Sequence, residues 1–306
     1  MPKENTHLLF AYRVLEEFHE TDILREVSSH LHTYLLGSII PDTFYYSGKK
    51  PIERISESFH GKTGNPTNTV ILSVLDAARH PKDLAFILGY ITHCALDIAF
   101  HPVIYYLSGN YYDEVPWKRT QAVYMHRHLE TCLDRDLKNT FRIHRTIRSA
   151  FLKGLVFEDV VSRDFHADIV EIRRSLRKQL LSNLFFTSRA AYRIAQVFTR
   201  FCLLKDSSYL GLFYCDVPSG ECLPPLITVA DLQTGQERTV TVEGLFADAR
   251  ADAVTMMKAA FDYSRGQISR DELLLAIPGK SLDTGRLRVS AADIRHTRGE
   301  EPSGMG

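Results

Sequence analysis

The chain is short of cysteine, of tryptophan, of surplus charge and of long apolar runs. Five cysteines in 306 residues rule out a disulfide scaffold and suit a reducing compartment. Lysine plus arginine number 37, as do aspartate plus glutamate. No global field draws such a chain to a polyanion, and no specific nucleic-acid binding is evident. The first residues, Met-Pro-Lys-Glu-Asn-Thr-His7, are followed by no apolar leader core, so the expected location is cytoplasmic. The most apolar stretch, Leu84 to Leu107, contains His93, Asp97 and His101. It is no run of about 18 apolar residues, so no transmembrane segment is expected, and no amphipathic membrane anchor stands out. With 44% hydrophobic and 24% charged residues, the composition is that of a folded globular protein.

What is present reads as helix. Leu8, Ala11, Leu15 and Phe18 keep a three-to-four spacing. Thr21-Asp22 can start a second helix running to Leu36, with Gly37 as its stop and Pro41 beyond. Ser47–Pro51 and Gly61–Thr69 read as loops, and Asn68 or Thr69 opens a helix to about Ala78. A long buried helix runs from Lys82 to about Tyr106, with Pro102 ending or kinking its last turn. Further helices are expected over Trp117–Lys138, Phe157–Leu181, Ser188–Leu204, Glu243–Tyr263 and Arg270–Ile277. Leu226–Val229 and Thr239–Val242 flank a Gln-Thr-Gly-Gln turn and predict a small β-hairpin. The expected fold is all-α, a multi-helix bundle around a multinuclear metal site, with this hairpin in the C-terminal third. One domain over residues 1–286 and a disordered polar tail over 287–306 are expected.

The chemistry lies in His93-Cys-Ala-Leu-Asp97-Ile-Ala-Phe-His101. Its three potential ligands recur at i, i+4 and i+8, so they fan across one face of an apolar helix. Buried ionisable groups need partners, and a metal supplies one for imidazole and carboxylate together. His126-Arg-His-Leu-Glu130-Thr-Cys-Leu-Asp134 repeats the spacing. His128 points to roughly the opposite side, which favours His126. Asp134 reads either as a carboxylate supporting a ligand or as a surface group. Asp42 follows a helix stop, His60 adjoins a loop, and His7 opens the first helix. The candidates are therefore His7, Asp42, His60, His93, Asp97, His101, His126 and Glu130. Five imidazoles and three carboxylates exceed one tetrahedral zinc and suit two or three ions. The other histidines read as surface or capping groups. Cys94 and Cys132 read as core thiols, and Cys215 with Cys222 forms no zinc ribbon. The basic stretch Arg173-Arg174…Arg177-Lys178 reads as a solvated helix face.

Thr6-His7, Gly37–Asp42, Phe59-His60, Gly89–Pro102 and His126 with Glu130 and Asp134 together resemble the zinc-dependent phospholipase C family. That family shares its helical fold with single-strand-specific zinc nucleases. The likeness covers roughly residues 5–136, with a weaker one reaching from the hairpin to about Gly285. The resemblance implies that Asp42, His60, His93 and Asp97 surround one zinc. His101, His126 and Glu130 hold a second, and His7 with a shared Asp97 a third. It implies a metal-dependent phosphoester hydrolase in which Asp42 orients or deprotonates the attacking water. Phospholipid is one candidate substrate and a small soluble phosphoester another.

Two other readings compete. A helical di-iron oxidoreductase would use Glu-x-x-His pairs, of which Glu16–His19 and Glu57–His60 have the spacing. A non-catalytic helical protein would keep a structural metal or none.

Overall fold

The computed structural model describes residues 3–111, 113–137, 143–201, 206–216 and 223–298. The chain opens with α1 (Glu4–Leu15), α2 (Asp22–Ser29), α3 (Leu31–Gly37), α4 (Lys50–Phe59), α5 (Thr69–Ala77), α6 (Pro81–Ser108) and α7 (Pro116–Asp136). A one-turn α8 (Ile143–Thr146) leads to α9 (Val156–Phe165), α10 (Ile169–Phe186) and α11 (Arg189–Arg200). The hairpin strands β1 (Ile227–Ala230) and β2 (Glu237–Val240) precede α12 (Val242–Ser264) and α13 (Arg270–Ala276). The strands pair antiparallel, Ile227 opposite Val240 and Ala230 opposite Glu237.

The core is organised around α6. It is long and apolar enough to cross a membrane, but 89% of its most apolar stretch is buried inside the protein. A helix apolar on all sides must be covered on all sides, and here α1, α3, α5, α7 and α12 cover it. Pro102 lies inside α6 and does not end it.

The helix ends at Gly37, as its sequence predicts, but the glycine also serves packing. It is the last residue of α3, where a Cβ would lie 2.0 Å from the Phe86 carbonyl oxygen. Gly89 faces α3 in the same way, with a Cβ position 1.8 Å from the Tyr34 carbonyl oxygen. Glycine at both positions lets the two backbones touch, which sets how close α3 brings its C-terminus to α6.

Two helices expected as continuous are broken. His30, at φ −131° and ψ 34°, separates α2 from α3. His166 is left-handed, at φ +54°, and separates α9 from α10. The stretch after Ser47 was expected as loop, yet α4 starts at Lys50 with Pro51 in its first turn, where a missing N–H costs nothing.

The tail expected to be disordered from residue 287 is held down as far as Arg298. Ala291 N–H donates to the Lys62 carbonyl at 3.0 Å, and Arg298 N–H to that of Tyr106 at 2.7 Å. Backbone pairing, invisible in a polar composition, fixes it. Residues 299–306 lie outside the described residues.

Candidate metal centre

All eight candidate ligands are buried, none more than 6% exposed. Asp42 comes from a 3-10 turn after α3 (Ile40–Tyr46), and His60 from the C-cap of α4. His93, Asp97 and His101 project from α6, and His126 and Glu130 from α7. His7 comes from α1.

The structure sorts seven of them into two groups. Asp42, His60, His93 and Asp97 present donor atoms within 4.8 Å of one another, and so do His101, His126 and Glu130. Asp97 joins them. Its Oδ2 lies 3.0 Å from His93 Nε2 and 3.4 Å from His60 Nε2. Its Oδ1 lies 3.4 Å from His7 Nε2 and 3.8 Å from His101 Nε2. His7 also stacks on His93, with ring centroids 3.9 Å apart. In the second group, His126 Nε2 is 2.8 Å from Glu130 Oε1, and His101 Nε2 is 3.8 Å from it.

Backbone carbonyls fix the rings. His93 Nδ1 lies 2.9 Å from the Ser38 carbonyl, and His60 Nδ1 lies 2.7 Å from that of Ser56. A carbonyl can only accept, so in both rings Nδ1 carries a proton and Nε2 is the nitrogen turned to the cluster. Ser56 does more. Its hydroxyl donates to the Pro41 carbonyl and accepts from Phe44 N–H, which locks the Asp42 turn onto α4.

The donor atoms then have no internal answer. His7 Nε2, Asp42 Oδ1, His60 Nε2, His93 Nε2, both Asp97 oxygens and His101 Nε2 are buried without a hydrogen-bond partner. Buried polar atoms left this way are costly and rare. Imidazole nitrogens and carboxylate oxygens converging at short range are the donor set that zinc takes.

Electrostatics agree. Burial, with the nearby His93 ring, pushes the charged form of His7 well below the usual histidine range. Burial likewise lowers His101, and lowers His126 further. Those imidazoles are held neutral, the form that binds metal. At Asp97 burial opposes charge, but His101, His93 and His60 hold its carboxyl well below the ordinary value. At His60 burial also opposes charge, and the adjacent carboxylates of Asp42 and Asp97 outweigh it, carrying the ring up to about 10, so a metal binding there would displace the proton from Nε2.

Asp134, left open between two roles by its sequence, is a buried support. It accepts from Thr6 N–H at 2.6 Å, from the Thr6 hydroxyl at 2.7 Å and from Asn5 Nδ2 at 2.8 Å. It thereby anchors the first turn of α1, one residue before His7. His128 stacks on Tyr124, away from the cluster. The Glu-x-x-His pairs do not converge: Glu57 bonds to Lys62 at 2.6 Å, and Glu16 and His19 are exposed. Cys94 and Cys132 are buried, as expected of core thiols; Cys222 lies outside the described residues.

Sequence reasoning missed Asp283. It is buried in the loop after α13, with Oδ1 3.4 Å from His101 Nδ1. The loop is pinned there because Leu282 N–H donates to the His60 carbonyl at 2.9 Å. Glycines at 279 and 285 bracket it, both with positive φ. Tyr105 and Tyr111 were missed as well, with rings 4.9 and 5.2 Å from that of His126.

The profile of the zinc dependent phospholipase C family matches residues 6–183. The chain belongs to that family. The match takes in every ligand candidate of this family member and ends before the hairpin and the Asp283 loop. No curated protein and no solved structure matches the chain.

Proposed function

We propose that this family member hydrolyses phosphoesters with water activated at a cluster of two to three zinc ions. The observation that carries the reading is the pair of buried donor groups sharing Asp97 within the family match. Asp42, His60, His93 and Asp97 would hold one ion, His101, His126 and Glu130 a second, and His7 with Asp97 Oδ1 would offer a third position. When bound, zinc acidifies a coordinated water to a pKa near ~7 and draws charge from phosphoryl oxygens.

The chain's own residues do the rest. Ser38 and Ser56 carbonyls hold the His93 and His60 rings with Nε2 toward the cluster, so neither ring has to turn on loading. Asp97 shares its two oxygens and fixes the spacing between groups. Asp42 Oδ1, 3.1 Å from His60 Nε2, accepts the proton of the attacking water. A phospholipid headgroup and a small soluble phosphodiester both fit this chemistry.

The test is elemental analysis of protein purified without chelator or affinity histidines, paired with hydrolysis of bis(p-nitrophenyl) phosphate. The expected result is roughly two to three zinc per chain, with hydrolysis lost to chelator and restored by zinc. A folded protein with one zinc or none overturns the cluster. Full zinc without hydrolysis of any phosphoester overturns the activity and leaves a structural metal.

A further inference from the structure

From residue 172 to residue 205 the sequence contains eight lysines and arginines and no aspartate or glutamate, in a chain whose formal charge is zero. This stretch holds most of α10 and all of α11. It also carries a cluster of large apolar side chains left in solvent. Leu181, Phe185, Ile194, Val197, Phe198 and Phe201 are each between 46 and 68% exposed. On α11 the last four recur at i, i+3, i+4 and i+7, the pattern of a core-facing stripe. Yet only Ala191 of α11 is buried. Ile194 and Phe198 face Phe185 of α10 across a groove of about 500 Å³. Apolar surface of this extent marks a contact site.

The charge decides what covers it. Arg189, Arg193 and Arg200 fall on one flank of the α11 stripe, at i, i+4 and i+11. None of the three is paired with a carboxylate among the described residues, whereas Arg173 and Arg174 are tied to Glu158 and Glu171. A second copy of the chain, meeting this one across a two-fold axis, would set cations against the same cations. Nucleic acid would satisfy the arginines and leave Ile194, Val197 and Leu181 in water. An anionic bilayer answers both features: acyl chains for the stripe, lipid phosphates for the arginines above it.

We propose that the α10–α11 face is a docking surface for an anionic lipid membrane. The same α10 reaches the metal centre's support, since Gln179 Oε1 accepts from the hydroxyl of Thr43, the residue after Asp42. Docking is a property of this surface and does not depend on the hydrolytic reading.

The experiment is co-sedimentation of the full chain with phosphatidylcholine vesicles and with equimolar phosphatidylcholine–phosphatidylglycerol vesicles. It reads binding and not hydrolysis, so its failure is distinct from failure of the proposed activity. The mixed vesicles are expected to bind about a hundredfold more tightly, at roughly fivefold per arginine. Salt weakens that preference. Arg189→Gln with Arg193→Gln removes most of it, and Ile194→Glu with Phe198→Glu abolishes binding while helix content and zinc content stay unchanged. Three results overturn the proposal. One is no binding to either vesicle. Another is binding that ignores these substitutions. The third is concentration-dependent self-association relieved by Phe198→Glu, which would make a second copy the occupant.

Discussion

Asp283 places a carboxylate oxygen 3.4 Å from Nδ1 of His101, from a loop far along the chain. The other ring nitrogen, Nε2, faces Asp97 and Glu130. A carboxylate behind a ligand imidazole orients the ring and raises its basicity. Asp283→Ala is expected to weaken zinc binding about 10–100-fold without changing helix content. Asp283→Asn, which keeps an acceptor for Nδ1–H, recovers much of the loss. Titration against a chromophoric chelator reads both, and an unchanged affinity in the alanine variant would remove Asp283 from the centre.

Among the described residues, Asp97 faces both clusters and His7. Losing its charge should cost more than losing one histidine. Asp97→Asn is expected to drop zinc to less than about one per chain, whereas His7→Ala leaves the two main groups loaded. Elemental analysis checks this, and full zinc in Asp97→Asn would show that the two groups do not share it.

The crossing of α3 and α6 is set by glycine against backbone. A Cβ at Gly89 meets the Tyr34 carbonyl oxygen at 1.8 Å, and no side chain can move aside to relieve it. Gly89→Ala is expected to destabilise the metal-free protein by about 3 kcal/mol, read by urea denaturation. It should also weaken zinc binding, because Ser38, whose carbonyl holds His93, directly follows α3. A stability loss below about 0.5 kcal/mol would mean that the helices do not meet at contact.

Acid should loosen the C-terminal segment first. Part burial works against the charge of Asp231, yet Arg286 at 2.6 Å and the N–H groups of Thr234 and Gln233 hold its carboxyl well below the ordinary value. A depressed carboxyl contributes stability above its unfolded value of 3.8 and loses it as pH falls through the folded value. Melting temperature should therefore fall below about pH 4, and Asp231→Asn should flatten that part of the profile. An identical acid limb in the variant would place the sensitivity elsewhere. Arg286 ends the loop that carries Asp283, so the same ion pair steadies the support of His101.

Much of the site was legible because α-helical geometry is local. Once His93, Asp97 and His101 stand four apart on an apolar helix, their common face follows from the pitch. The same holds for His126 and Glu130. His7, Asp42 and His60 were legible through the family likeness, since no local period links them. Asp134 and Asp283 were not assignable, because a buried support and a surface acid have the same sequence. Gly37 ends α3 as expected, but its packing role was not legible for a related reason: a glycine at a helix end looks the same whether or not another helix touches it.

The sequence by itself determined the helical class, the ligand chemistry and the spacing of donors within α6 and α7. Only the tertiary structure decided which groups converge, that Asp97 faces both, and that residues 287–298 fold back onto the body. It also decided that the stripe on α11 faces solvent while identical spacing elsewhere faces the core. The physical reason is range. Helix pitch and side-chain chemistry act within a few residues. Burial depends on which distant surface arrives to cover a face, and that is settled only when the whole chain packs.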